Sequence, residues 1–222
     1  MRCTRLLPLL PGLLLGFGTF AQESTPDANT FAASGDLERV LTAFAIRCRV
    51  PMLIEIAEPV ARGLHAEATS CELQPFLNQV IGTNPNYAFD IHGRAVHVYD
   101  RTVVQEKNNF LNWKLKEFKV QKNVAEFENI LIARLWALRS GTNSSGMLIH
   151  GIYPTDLSKR SLPSRVYSNS TAREILLDVE DLDGTFLSVI VFPKRQELVT
   201  SDLDAVFASW QWRSMAVSDP PK

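Results

Sequence analysis

The sequence is poor in cysteine, in net charge and in any string of catalytic residues. Its three cysteines are Cys3, Cys48 and Cys71. Cys3 lies in the leader-like start, and a zinc site on thiolates needs more than the other two. The formal net charge is −1 and the basic residues are scattered, so nothing marks a nucleic-acid partner. Beyond residue 20 no apolar run reaches the ~20 residues a spanning helix needs. No GxSxG, P-loop, GxGxxG or HExxH string occurs. The glycine-rich SGTNSSG at 140–146 has no Lys-Ser/Thr pair behind it. The four histidines, His65, His92, His97 and His150, are isolated in sequence. No metal, cofactor or catalytic residue is therefore expected. His97 is read as structural or exposed, on the polar face of a hairpin. The carboxylates of DVEDLDG, 178–184, lack calcium-loop spacing and read as a solvated helix end.

What is present argues for a folded, exported chain. With 45% hydrophobic and 21% charged residues, the sequence can bury a core. Arg2 and Arg5 precede the apolar run Leu6 to Phe20, and Thr19 and Ala21 are small residues where a signal peptidase reads. Residues 1–21 are thus expected to be a signal peptide cut after Ala21, giving a periplasmic product. No transmembrane span is expected once the signal is removed. In that oxidising setting Cys48 and Cys71 are open to a disulfide or to two buried thiols.

Hydrophobic spacing predicts a short strand at Phe31 and an amphipathic helix over 36–48, with Leu37, Val40, Leu41 and Phe44 on one face. MLIEI at 52–56 reads as a strand, and 62–68 as another. A capping box at Thr69 and Glu72 introduces a helix ending at Gly82. NYAFDIHGRAVHVYD reads as a hairpin turning at His92-Gly93, with Phe89 opposite Val96. A polar linker over 101–117 follows.

The same grammar then recurs. At an offset of 87 residues Phe31 meets Phe118 and Phe44 meets Leu131. At 95, the triplet MLI of 52–54 meets MLI of 147–149. At 102, Thr69, Glu72 and Gly82 meet Thr171, Glu174 and Gly184. The expected fold class is α+β, as two tandem small βαββαβ units, 31–100 and 118–193. FLSVIVF at 186–192 is the last strand of the second unit. A C-terminal helix starting at Ser201, then a tail, complete 194–222. Trp210 lies on that helix's apolar stripe, and Trp212 lies off it, open to core packing or to a partner.

The first unit resembles the short N-terminal domain of secretins and TonB-dependent receptors. The matching residues are Phe31; Leu37, Val40, Leu41, Phe44 and Ala45; MLIEI; Leu73, Phe76 and Leu77; Gly82; Tyr87 and Phe89; Val96 and Val98. The resemblance implies a periplasmic module that makes protein contacts, although no pore or barrel follows here. Together these features suggest an envelope protein partner and no enzymatic activity. An exported enzyme with a dispersed site, or a carbohydrate- or peptidoglycan-binding protein, is the alternative. The strand Ala95 to Tyr99, with His97, is the first candidate contact edge, and the surface around Trp212 the second.

Overall fold

The structure is a computed structural model that describes residues 31–82, 84–120, 123–140, 160–192 and 211–217. The expected signal peptide, the second MLI triplet, His150, Trp210 and the expected helix start at Ser201 lie outside them.

Strand β1 (Phe31–Gly35) leads into helix α1 (Leu37–Cys48), which Asp36 caps by accepting from the Arg39 amide at 2.8 Å. Leu37, Val40, Leu41, Phe44 and Ala45 form its buried face. β2 (Met52–Ala57) and β3 (Leu64–Ala68) follow, then α2 (Leu73–Ile81), β4 (Tyr87–His92) and β5 (Ala95–Asp100). A helical turn, α3 (Arg101–Val104), and a 3-10 turn at Phe110–Asn112 lead to β6 (Lys114–Val120) and α4 (Val124–Ser140). The rest is β7 (Arg165–Thr171), α5 (Ala172–Asp183), β8 (Phe186–Phe192) and β9 (Gln211–Ala216).

The class is α+β. A five-stranded sheet runs β4-β5-β2-β8-β9, with β2 parallel to both β5 and β8, and with antiparallel β4 and β9 at its edges. Two antiparallel pairs, β1–β3 and β6–β7, lie outside it. Each pairs a first strand with the strand leading into the next helix. The ladder sets Phe31 against Ala68 and Leu115 against Ser170, so at the 102-residue offset Leu115, not Phe118, is Phe31's counterpart.

The central sheet is covered on both faces, as parallel strands usually are. Met52, Ile54, Ile56, Val96 and Val98 face one core, shared with α1 and α2. There Phe44 and Phe76 stack at 3.7 Å, with Phe31 edge-on to both at 5.5 Å. Leu53, Ala57, Ile190 and Phe192 face a second core, shared with α4, α5 and the 3-10 turn. All of β2 and β8 is buried.

Several expectations are corrected. No capping box forms at Thr69 and Glu72: α2 begins at Leu73, Glu72 makes no side-chain cap, and Gly82 is right-handed. Cys71 is bonded to Cys48, Cα to Cα 5.4 Å, which ties down the segment where that cap would form. Closing this 23-residue separation contributes ~3 kcal/mol. At Thr171 and Glu174 the capping box is complete, and Gly184 closes α5 with φ 66°. The hairpin loop is Gly93-Arg94, with Phe89 opposite Val98. Gly93 has φ 59°, which suits the first loop position of a type II′ turn. A Cβ there would strike the Asp181 carboxylate.

The expected linker is built into the fold, because Val103, Asn109, Phe110 and Leu111 are buried. β5 is internal, between β4 and β2, and His97 is 3% exposed, so neither forms a contact edge. The polar face assigned to His97 is the face that the second half of the chain covers. Residues 211–216, expected to continue a helix, form β9. Trp212 and Ala216 turn to one core and Met215 and Val217 to the other, and pairing with β8 satisfies the period-two pattern.

Candidate functional site

The face of the sheet toward α5 carries a buried polar seam. Glu55, on β2, is fully buried, and each of its oxygens has two hydrogen-bond partners. Arg173, the second residue of α5, grips it as a fork, Nε to Oε2 at 2.8 Å and Nη2 to Oε1 at 2.7 Å. The Asn109 amide donates to Oε1, and His97 Nε2 lies 3.0 Å from Oε2. Arg173 also donates to Asn112 at 2.5 Å. Burial would raise the Glu55 carboxyl, but the hydrogen bonds from Arg173 and His97 and the charge of Arg173 outweigh it and hold it at about 2. An ionised carboxylate only accepts, so His97 presents a hydrogen on Nε2.

Asp90, directly opposite His97 on β4, lies on the same side of the sheet as His92, two residues on. One ligand atom from each of Asp90, His92 and His97 falls within 4.8 Å of the others. Tyr99 donates to Asp90, and its ring centre is 4.6 Å from that of His97. His92 and Gly93 also line a cleft of about 350 Å³ against Glu174, Leu177, Asp178 and Asp181 of α5. Arg94 anchors the hairpin tip there: its amide donates to Asp181 at 2.6 Å, and its guanidinium donates to the Asp181 and Leu182 carbonyls. A cation on the last carbonyls of a helix also complements its dipole.

The carboxylates of 178–184 are not uniformly solvated. Asp178 takes an ion pair from Arg165 at 3.0 Å and a hydrogen bond from Tyr167 at 2.5 Å. Glu180 is fully buried, and neither of its oxygens has a hydrogen bond of ordinary geometry. Burial first, then the charge of Glu128 on α4, pushes its carboxyl well above the usual range; nearby Ser188 opposes this only in part. Folded chains therefore hold a proton on Glu180 that unfolded chains release above pH 4.5. Stability from this group is full below that pH and lost as pH rises through the folded value. Glu180→Gln is expected to match the native chain in acid. Above that pH it should gain on it by up to ~1.4 kcal/mol per pH unit. Urea denaturation at a series of pH values measures the gap, and a gap that stays constant with pH would mean that Glu180 titrates normally.

Of the residues singled out from sequence, His92 and His97 come together and the other described ones stand apart. Cys48 and Cys71 form a structural bond in the first half, and His65 is an exposed partner of Ser34 and Glu67. Trp212 is partly buried against the second core, and its indole donates to Ser214 at 3.2 Å, which in turn bonds Glu128. Glu55, Asp90, Asn109 and Arg173 were missed. The available signal was a lone charge inside an apolar strand, MLIEIA, and an arginine in the first turn of a helix, where the dipole disfavours it. No protein-family model, curated protein or solved structure matches the chain.

Proposed function

We propose that the protein is an exported, non-enzymatic interaction module of the cell envelope, made of two short-N-terminal-type units, which captures an extended segment of another envelope protein. The observation that carries this reading is β4. It is an outer strand, paired only with β5 among the described residues, and Ile91 near its tip is 51% exposed. An edge strand offers a row of N–H and C=O groups to an added strand. Beside it stand Asp90, Glu174, Asp178 and Asp181, against Arg94 and Arg165, so a lysine- or arginine-bearing segment suits the charge. The leader-like start supports export, and the resemblance of residues 31–98 supports protein contact. Glu55, the polar group best placed for chemistry, is engaged on all sides within the fold.

A photo-cross-linking residue at position 91, with one at exposed Ile130 on α4 as control, tests this in intact cells. Position 91 is expected to give a discrete product with an envelope protein, through a basic extended segment, and position 130 none. Ile91→Lys is expected to weaken binding of that protein at least about tenfold, or ~1.4 kcal/mol. Equal cross-linking at both positions, or unchanged affinity in Ile91→Lys, would overturn the reading.

A further inference from the structure

We propose that Asp90, His92 and His97 bind a divalent transition-metal ion of the zinc class at the mouth of the acidic cleft. This site goes beyond partner capture and does not depend on it.

The backbone itself brings the three together. Asp90 and His92 are two apart on β4, and His97 is the cross-strand partner of Asp90. Such partners have Cβ atoms ~5 Å apart whatever their rotamers. Their candidate ligand atoms already lie within 4.8 Å of one another. Ligands around a zinc-sized ion at ~2.0–2.1 Å stand ~3.3 Å apart, so a modest inward turn closes the set. Asp90 and His92 are exposed, and His92 can turn toward the other two, whereas His97 is held in place by the sheet and by Glu55.

The surroundings suit a cation. Glu55 engages Nε2 of His97, which leaves Nδ1 as the nitrogen a metal would take. A carboxylate behind the far nitrogen is the usual backing of a metal-bound histidine, because it fixes the tautomer and raises ligand basicity. Tyr99 steadies Asp90 in the same way. Glu174, Asp178 and Asp181 line the adjoining cleft, while the guanidinium of Arg94 is turned to the end of α5. Two imidazoles and one carboxylate favour zinc, copper, nickel or iron over magnesium or calcium. Three protein ligands leave a position for water or for a group of a partner.

The test uses the whole mature chain, stripped with chelator and titrated with Zn²⁺ by calorimetry, with Co²⁺ as an optical probe. One ion per chain is expected, and Co²⁺ should give visible bands. His92→Ala and Asp90→Ala, both at exposed positions, should each weaken binding at least about tenfold and abolish the Co²⁺ bands. Their metal-free urea melts should match that of the native chain. His65→Ala, an exposed histidine on β3, should leave binding unchanged. No saturable binding by the native chain would overturn the proposal. So would binding that survives loss of His92 and Asp90, or that depends on His65.

Discussion

Arg173→Met is expected to destabilise the protein by ~3–5 kcal/mol at neutral pH, because it leaves the fully buried Glu55 without its counter-charge. His97 and Asn109 can still donate to the carboxylate, but the largest charge that holds its pKa down is gone. The pH dependence should also reverse. In the native chain Glu55 titrates at about 2 instead of 4.5, so its contribution is present above pH 4.5 and lost as pH falls through about 2. That shift corresponds to ~3 kcal/mol. In Arg173→Met burial dominates, the folded value rises above the ordinary one, and stability falls as pH increases. Adding Glu55→Gln to Arg173→Met should recover part of the loss, since no naked charge remains buried. Urea denaturation from acid to neutral pH measures all three chains. A loss in Arg173→Met below ~1 kcal/mol, with the acid limb intact, would show that Arg173 does not hold Glu55.

Phe76→Ala is expected to cost ~3–5 kcal/mol. The ring is 1% exposed, stacks on Phe44 at 3.7 Å and takes the edge of Phe31 at 5.5 Å, so its removal opens a cavity against two rigid neighbours. Leu138→Ala, at a position 50% exposed, should stay within about 0.5 kcal/mol of the native chain. Urea melts compare the two. Similar midpoints for both variants would put Phe76 outside the core and undo the packing assigned to α2.

Much of the local structure could be read from the chain. Asp36 announces α1, the apolar spacing of 37–45 names its buried face, and FLSVIVF marks β8 to the residue. These signals are local, since a cap needs three neighbouring residues and a stripe needs three turns. Identical letters still diverged where a distant bond intervened. Thr171 and Glu174 make their capping box, whereas Thr69 and Glu72 do not, next to the link from Cys71 to Cys48. The segment after Trp210 reads as part of a helix, and it is the ladder offered by β8 that makes it a strand.

The candidate site was hidden for a related reason. Glu55 in MLIEIA and His97 in AVHVYD are each one polar residue in an apolar strand, which signals a buried polar contact without naming the other party. The arginine that answers Glu55 is 118 residues away, and the asparagine is 54 away. Asp90 and His92 met His97 only through the hairpin register, which the tight turn at Gly93-Arg94 set two residues from the expected pairing.

The sequence by itself determined elements such as α1, β2 and β8 and the apolar face of α1, because those depend on contacts a few residues long. Only the tertiary structure decided that β2 lies between β5 and β8, that His97 is inside, and that Asp90, His92 and His97 come together. Strand order and register are chosen by hydrogen-bond ladders between segments far apart in the chain. A buried charge is tolerated only where another such segment supplies its partner.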